Sequence, residues 1–373
     1  MRTLERITVT GYKSIRELRD FALGDLNVLI GANGAGKSNF LSLFKLFKSL
    51  ANDRLQLFIG NEGGADYLLH FGAKITDQIE LKLKFNYKYY QLSADTYEAL
   101  LGFAKPNKLI FRQEEFGTEI GDELNQPKKN ENLGVGHEES NLYEHEESNL
   151  YEAVVLNPIR SILKDVYFYH FQDTTDKAKV KFPHNVHDDF RLKSDAANLG
   201  AFLYRLKKIA GHQSVYNQII KTIRLIAPFF DDFVLTPENQ LIRLQWKHRN
   251  SNDNFDAHQF SDGTLRFICL ATLLLQPNPP SLIIIDEPEL GLHPAAMELL
   301  VEMLRSVTTK SQVIISTQSV EMVNYFLPEE IIVVDREKDE SVFHRKSAKE
   351  LETWLDEYSM GELWQMNVIG GRP

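Results

Sequence analysis

Hydrophobic and polar positions along the chain alternate in a way that predicts a sheet-based core. Residues 4–10, Leu26–Ile30 and 167–171 are apolar runs typical of short strands. Between 79 and 85, apolar side chains at odd positions alternate with charged side chains at even positions, as expected for a half-exposed antiparallel strand. A fully apolar strand is predicted at 282–285. Together with intervening helices, these runs predict an α/β fold with a parallel core and an antiparallel lobe.

A helical periodicity replaces the strand pattern at 173–230, where apolar side chains recur every three or four positions. One apolar stripe ends at Gly211 and a second ends at Pro228, so two packed helices are expected. Strand alternation returns at 242–247, and a helix is expected from about Thr264. The predicted organisation is an ATPase-type core part at 1–172, a helical insertion lobe at 173–230 and a second core part at 231–373.

An acidic insertion is predicted at 114–152, a segment that contains 12 acidic residues and only two lysines. It contains a perfect tandem repeat, HEESNLYE, at 137–144 and 145–152. Two copies are too few for a solenoid, so a solvated surface insertion is expected, with a partner-docking element as the alternative. His137 and His145 are metal-ligand types, but glutamate-rich surface loops favour a solvated role.

Composition narrows the class of protein further. The 373 residues are 43% hydrophobic and 25% charged, which is typical of globular proteins. The longest apolar stretch, 267–275, is shorter than the roughly 20 residues that span a bilayer, so no membrane role is expected. A single cysteine, Cys269, excludes an internal disulfide, and the N-terminus does not resemble a signal peptide. We therefore expect a cytoplasmic protein. Its net charge of −10 resides in the insertion, which leaves a DNA-binding face permitted but not demanded.

A phosphate-binding loop is predicted at 31–38, where GANGAGKS fits the pattern G-x-x-x-x-G-K-[ST] between a strand and an amphipathic helix. Glycines let the backbone N–H groups wrap a phosphate, Lys37 would reach the β- and γ-phosphates, and the Ser38 hydroxyl would bind Mg²⁺. ATP and Mg²⁺ are therefore the expected ligands. The residues assigned to the nucleotide are Asn33, Gly34, Ala35, Gly36, Lys37, Ser38 and Asn39.

The apolar strand at 282–285 ends in Asp286 and Glu287, which distinguishes an ATPase from other proteins with a phosphate loop. Asp286 would hold Mg²⁺, and Glu287 would orient the attacking water. A buried structural pair of acids is the alternative, but without a cation its desolvation would be costly.

With these motifs, the segment FSDGTLR at 260–266 resembles the signature of ABC-type ATPase heads of the RecF and structural-maintenance-of-chromosomes class. The chain is also similar to AAA_21-like predicted ATPases, to overcoming-lysogenization-defect proteins and to antiphage-defence ATPases. The resemblance implies that Ser261 and Gly263 cap the γ-phosphate of a nucleotide held by a second subunit, so a homodimer is expected. It also implies a subunit-contacting loop at 289–294.

Two glutamines complete the set that the resemblance implies. Gln318 follows a predicted strand where related proteins have a histidine that senses the γ-phosphate, and glutamine cannot titrate in this role. Gln172 is the candidate Mg²⁺ ligand that couples the two lobes, with Gln113 as the alternative. The catalytic residues are thus expected to be Glu287, Lys37 and Gln318. The only other cluster of metal-ligand types, at 184–189, is expected to be a polar loop.

The sequence therefore predicts a head that dimerises around ATP and acts as a conformational switch. DNA or a separately encoded effector is its expected partner, in DNA repair or antiphage defence. The alternatives are an ATP-clamped scaffold with negligible hydrolysis, a transporter ATPase subunit and a nuclease. The 38 residues after Asp335 are too few for a separate nuclease domain.

Overall fold

A computed structural model describes residues 2–87, 90–120, 129–142 and 150–372. Its strands are β1 (Arg2–Tyr12), β2 (Ile15–Ala22), β3 (Leu26–Ile30), β4 (Gln78–Tyr87), β5 (Tyr90–Ala104), β6 (Lys108–Ile120), β7 (Lys129–Gly134), β8 (Val166–Tyr169), β9 (His184–Asn185), β10 (Phe230–Val234), β11 (Leu241–Ile242), β12 (Gln245–His248), β13 (Asn254–Asp256), β14 (Leu282–Asp286), β15 (Gln312–Ser316), β16 (Ile331–Glu337) and β17 (Glu340–His344). Its helices are α1 (Lys37–Ala51), α2 (Leu55–Asn61), α3 (Ala65–Leu68), α4 (Leu150–Lys164), α5 (Leu199–Lys208), α6 (Gln213–Ile226), α7 (Asp262–Leu275), α8 (Pro294–Val307), α9 (Val320–Val323), α10 (Ala348–Leu355) and α11 (Met360–Gln365).

The chain forms two compact units, one built from 1–166 and 327–373 and the other from 167–326. In the first unit, β2-β1-β4-β5-β6-β7 form an antiparallel sheet in that order. The same unit holds β17-β16-β3, in which β16 pairs parallel to β3 and antiparallel to β17. The mixed α/β class predicted from the sequence is therefore confirmed, whereas the three-part domain division stays a prediction.

The second unit contains the strands β8, β14 and β15, of which β14 and β15 are parallel. Helices α5 and α6 pack against each other where the two apolar stripes predict them, and α6 also packs against α7. The strand alternation predicted at 242–247 is divided between two strands, because β11 pairs with β9 whereas β12 pairs with β10 and β13. Alternating burial continues across the break, since Ile242, Leu244 and Trp246 are all buried, and this continuity explains the misleading pattern.

Strand burial agrees with the sequence pattern in the first unit. Ile79, Leu81, Leu83 and Phe85 on β4 are at most 1% exposed, whereas the charged residues between them are partly exposed. All five residues of β3 are buried, as expected for a strand covered on both faces. Among the described residues, no helix combines the length and apolar character needed to cross a lipid bilayer.

The acidic segment differs from the expected solvated insertion at its start. Glu114 lies within β6 and is 0% exposed. Its carboxylate accepts hydrogen bonds from Tyr97 Oη (2.6 Å) and the Asn141 backbone N–H (3.0 Å), and it contacts His137 Nε2 (2.9 Å) and the Ser140 hydroxyl. Burial of this acid is tolerated because its oxygens have partners. The first repeat copy thus supplies three of the partners.

The same copy also caps a helix. Glu139 accepts hydrogen bonds from the backbone N–H groups of Leu55 and Gln56 at the start of α2, where a negative charge is favourable. His137 also stacks on Phe111, with ring centroids 4.5 Å apart, so its ring has both a polar and an aromatic contact. Residues 143–149, which include His145 of the second copy, lie outside the described residues.

We expect His137→Ala to lower the free energy of unfolding by about 2 kcal/mol, because a buried carboxylate loses one partner. Thermal or urea unfolding measures the loss. His187→Ala is the control, because it changes the same residue type at an exposed position of the described chain and is expected to leave stability unchanged. Equal losses in the two variants would contradict the assignment of the buried site to His137.

Candidate functional site: a phosphate loop and a carboxylate pair

The predicted phosphate loop lies between β3 and α1 in the first unit. Helix α1 begins at Lys37 and buries Phe40, Phe44 and Phe47 on one face, as its periodicity predicts. These rings pack edge to face, with centroids 5.6 Å apart for the first pair and 5.5 Å apart for the second. The strand and the helix are therefore fixed by the core, and the loop that joins them is held at both ends.

Two glycines of the loop are required by close backbone approach. Gly31 has φ 151°, and a Cβ there would lie 2.3 Å from the Val334 carbonyl oxygen. Gly36 has φ 121°, and a Cβ there would lie 2.0 Å from Ser341 Oγ. Gly34, with φ 80°, has open space on its Cβ side. Left-handed glycines of this kind turn successive N–H groups toward one side of a loop, which produces an anion-binding concavity.

Polar side chains from elsewhere in the first unit support the loop. Ser341 Oγ donates to the Ala35 carbonyl (2.6 Å) and lies 2.7 Å from Ser14 Oγ. Asn39 Nδ2 donates to Ser14 Oγ (2.7 Å), so this side chain has a structural role within the loop region. Arg336 Nη1 donates to the Gly34 carbonyl (3.2 Å) and places a cation beside the loop. Sequence reasoning missed Ser341 and Arg336, because no local motif marks them.

The donors in this segment fit a bound polyphosphate. Lys37 Nζ donates to the Gly31 carbonyl and to the Ala32 carbonyl (3.2 Å), so the ammonium already lies over the loop. In the described first turn of α1, no side chain caps the helix and no acidic residue is present. A helix N-terminus of this kind favours a negative charge by its dipole and its N–H groups. Ser38 supplies the hydroxyl that an octahedral Mg²⁺ accepts as a ligand.

In the second unit, the carboxyl ends of β14 and β15 bring the predicted carboxylates together with two polar side chains. Asp286 ends β14, and its Oδ1 accepts a hydrogen bond from Ser316 Oγ at the end of β15. Ser316 was not assigned a role from the sequence. Its hydrogen bond restrains one oxygen of the Asp286 carboxylate, as hydrogen bonds to ligating carboxylates do at metal sites.

Glu287 has a strained backbone. Its φ of 47° is uncommon for a residue with a Cβ, and its backbone N–H donates to the Ser316 carbonyl (2.9 Å). Gln318 Nε2 donates to Glu287 Oε1, so the structure brings two predicted catalytic residues into direct contact. Strained residues persist where the surroundings hold them, and they concentrate at functional sites.

Gln172 lies beside the same strand end. Its Nε2 donates to the Asp286 carbonyl (3.2 Å), which places a side-chain amide next to the predicted metal ligand. Arg266, only 5% exposed, holds this segment through hydrogen bonds to the carbonyls of Phe171 (3.0 Å) and Gln172 (2.9 Å). Burial lowers the pKa of the Arg266 guanidinium. An amide oxygen and a carboxylate are suitable ligands for Mg²⁺, so Gln172 and Asp286 fit the assigned metal role.

The signature segment begins at a helix start that faces solvent. Ser261 is exposed and caps α7 by accepting a hydrogen bond from the Thr264 backbone N–H (3.3 Å). Immediately before it, Phe260 is 5% exposed and stacks on Trp246 with ring centroids 4.6 Å apart. An aromatic anchor therefore sets the position of a surface hydroxyl.

Gly263 follows in the first turn of α7. A Cβ there would lie 2.3 Å from the Gly291 carbonyl oxygen, so this position requires glycine although its φ is ordinary. The signature helix thus packs directly against the backbone of the segment that follows Glu287. The sequence resemblance assigned this segment to subunit contact, and the packing shows that it also touches the signature within one chain.

The cluster at 184–189 does not form a metal site. Asp188 contacts His184 Nε2 (2.8 Å) and Lys193 Nζ, and the hydrogen bond from Lys193 is the main cause that lowers the pKa of Asp188. Across the described part of the chain, no group of three or more His, Cys, Asp or Glu residues is arranged to hold a metal ion.

Comparison with solved structures shows the fold. A structure of an Smc head bound to the C-terminal winged-helix domain of ScpA matches 94% of this chain and 99% of that chain, with a TM-score of 0.58 and 14% identity. An Smc head with an extended coiled coil, bound to the C-terminal domain of ScpA from Pyrococcus furiosus, matches 96% of this chain and 99% of that chain, with a TM-score of 0.56 and 12% identity. The predicted likeness to chromosome-organising ATPase heads is confirmed at the level of fold.

A sequence relative matches locally. The Nod factor export ATP-binding protein I of Rhizobium etli is 38% identical over 74 residues, which are 20% of this chain. The match spans 23% of the length of that protein. The family model described as "AAA domain, putative AbiEii toxin, Type IV TA system" matches residues 26–324, which include both motif regions. This chain therefore belongs to the AAA_21 family of P-loop ATPase domains.

Proposed function

We propose that this protein binds ATP with Mg²⁺ and acts as a conformational switch. Two copies associate when the ATP held by the phosphate loop of one copy is capped by Ser261 and Gly263 of the other. Hydrolysis then removes the γ-phosphate and the copies separate. The function rests on the exposed start of α7, because a hydroxyl and a helix N-terminus that face solvent form half of an anion site.

Each residue has a role in this proposal that its chemistry supports. The 31–38 loop and Lys37 bind the phosphates, and Asp286, Gln172 and Ser38 hold Mg²⁺. When bound, the metal neutralises the charge of the phosphates. Glu287 orients the attacking water, and Gln318 fixes the rotamer of Glu287 through its amide. Because an amide does not ionise near neutral pH, Gln318 can restrain the carboxylate without exchanging a proton.

The hydrogen bonds that Ser261 and Gly263 would donate to the γ-phosphate account for a switch. Hydrogen bonds to a charged phosphate contribute about 1.5–3 kcal/mol each, and those from Ser261 and Gly263 form only when a second copy is present. A ligand shifts a conformational equilibrium only by its difference in affinity for the two states. ATP would therefore favour association, whereas ADP, which lacks the γ-phosphate, would not.

We expect Ser261→Arg to abolish ATP-dependent dimerisation while leaving the monomer folded. The arginine side chain would occupy the surface that a γ-phosphate must approach. Size-exclusion chromatography with light scattering measures the molecular mass with a non-hydrolysable ATP analogue and Mg²⁺, with ADP and without nucleotide. Wild-type protein should shift from monomer to dimer with the analogue alone.

Ser347→Arg is the matched control. Ser347 caps α10 as Ser261 caps α7, so both variants lose a helix cap, which contributes about 1 kcal/mol. The control should dimerise like the wild type. A wild-type protein that stays monomeric with the analogue, or a Ser261→Arg variant that dimerises normally, would contradict the proposed function.

The biological setting is proposed on resemblance. The family description, which names a putative AbiEii toxin of a type IV TA system, and the likeness in fold to an Smc head bound to a ScpA domain support a role in DNA repair or antiphage defence, in which the dimer licenses DNA or a separately encoded effector. The export role in the name of the R. etli relative is not transferred, because the match covers only 20% of this chain. Co-purification of partners with wild type and Ser261→Arg would test whether partner binding follows dimerisation.

A further inference from the structure

Glu289 is a buried acid that the functions described so far do not use. It follows the catalytic pair by two positions and is 9% exposed. Its Oε1 accepts a hydrogen bond from Thr317 Oγ1 (2.5 Å), and its Oε2 has no partner among the described residues. A buried carboxylate oxygen without a partner is costly, so packing alone does not explain a glutamate here.

The contacts of Glu289 join two segments of the second unit. Thr317, which is 0% exposed, accepts a hydrogen bond from the Ser319 backbone N–H (3.0 Å) and immediately precedes Gln318. The Glu289 carbonyl accepts a hydrogen bond from the Leu292 backbone N–H (2.9 Å), which closes the turn containing Gly291. The side chain of Glu289 is therefore hydrogen-bonded to the segment 317–319, and its backbone is hydrogen-bonded within the turn 289–292.

Both segments reach functional groups. The Gly291 carbonyl packs against Gly263 of the signature helix, as shown above. Gln318, at the other side, donates to the Glu287 carboxylate. A continuous series of contacts thus runs from the signature to the catalytic carboxylate, and the bond between Glu289 and Thr317 is its side-chain link.

We propose that Glu289 is a positioning residue that sets the orientation of Gln318, and through it of Glu287, according to whether the signature is engaged. The inference rests on the proposed function and extends it: a second copy that presses on Ser261 and Gly263 would adjust the hydrolytic group of the same chain. Glu289 itself touches neither ATP nor water in this role. Its side chain transmits position through Thr317.

The test is a double-mutant cycle on steady-state ATP hydrolysis. Glu289→Ala is expected to lower kcat about 10-fold and leave KM for ATP within about 2-fold, because the phosphate loop is unchanged. Gln318→Ala is expected to lower kcat to a similar degree. The double variant should be no slower than the slower single variant. When one residue acts through another, removing either of them already removes their common effect on kcat. Glu289→Gln, which keeps the acceptor for Thr317, should retain most of kcat.

A second readout does not depend on activity. Burial raises the pKa of Glu289, whereas the hydrogen bond from Thr317 and backbone N–H groups oppose this rise. The charge of Glu287 adds a smaller rise, and Arg266 carries the nearby positive charge. A carboxyl whose folded pKa lies above its unfolded pKa destabilises the fold as pH rises through that interval. Glu289→Gln should therefore raise the melting temperature at pH 7.5, and the gain should disappear below about pH 4, near the unfolded pKa.

The outcomes separate this inference from the proposed function. Wild-type protein that hydrolyses no ATP would overturn both. Wild-type turnover with additive losses in the cycle, or with Glu289→Gln as slow as Glu289→Ala, would overturn only the positioning role. Glu302→Ala, at an exposed acid on α8, is the control and should change neither kcat nor KM.

Discussion

Glu287→Gln is expected to lower ATP turnover by at least about 100-fold and to make the ATP-bound dimer the main species in solution. Glutamine keeps the size of the side chain and its hydrogen bond with Gln318, but it is a much weaker acceptor for a proton of the attacking water. Binding of ATP does not need that acceptor. Association therefore continues while the step that separates the copies is blocked.

The measurement combines phosphate release with size-exclusion chromatography in ATP and Mg²⁺. Glu298→Gln, the same change at an exposed position on α8, is the matched control and should behave as the wild type. Turnover that is unaffected by Glu287→Gln would exclude Glu287 as the water-orienting residue. If neither turnover nor dimerisation changed, an ATP-clamped scaffold with negligible hydrolysis would account for the data better.

The backbone at Glu287 is strained, and Glu287→Gln leaves this backbone conformation in place. The left-handed φ of 47° and the hydrogen bond to the Ser316 carbonyl are backbone features, so glutamine retains both. Glycine would instead relieve the strain and remove the side chain together. For this reason glutamine isolates the chemistry of the carboxylate, and comparable melting temperatures of wild type and variant would verify that the fold is preserved.

The phosphate loop was predictable because its parts are adjacent in sequence. A buried strand, a run of glycines at 31, 34 and 36 and an amphipathic helix follow one another, so periodicity and motif spacing suffice to place them. The same holds for Asp286 and Glu287, which end a strand of uniformly apolar residues. Local sequence is enough to place these elements because each motif is contiguous in the chain, although the hydrogen bonds of β3 and β14 join them to the strands β16 and β15.

The supporting residues could not be predicted in this way, since they act across long sequence separations. Ser341 supports Ala35 from 306 positions away, and Arg266 reaches Phe171 across 95 positions. Arg266 did carry a weak signal, because it is the only charged residue between Asp262 and Leu275 on an apolar helix. A buried arginine needs acceptors, but the sequence does not say which carbonyls supply them.

In the acidic segment, composition led to a wrong expectation of full exposure to solvent. Its composition resembles that of disordered regions, yet Glu114 is at the centre of a buried hydrogen-bond network. Composition measures the average cost of burying a segment, whereas burial of one acid depends on the donors that the fold brings to it. Tyr97, on the neighbouring strand β5, supplies one of these donors, and its pKa is raised well above its usual value by burial.

Lys37→Ala is expected to weaken ATP binding about 100-fold and to abolish ATP-dependent dimerisation. The ammonium lies over the loop, where it donates to the Gly31 and Ala32 carbonyls, and we propose that it exchanges these acceptors for phosphate oxygens. Loss of a charge-assisted bond to a multiply charged ligand removes several kcal/mol of interaction, whereas loss of two bonds to neutral carbonyls removes less.

Nucleotide-induced thermal stabilisation measures this effect. A ligand at 100 times its dissociation constant stabilises the folded state by about 2.7 kcal/mol, so the variant should lose most of the shift that ATP gives to the wild type. Lys45→Ala is the matched control, because Lys45 lies on the exposed face of the same helix. An ATP-induced shift that survives in Lys37→Ala would contradict the assignment of the phosphates to this loop. A lower melting temperature of Lys37→Ala without nucleotide would measure how far Lys37 stabilises the empty loop. An ATP titration separates this loss of stability from the loss of ATP binding.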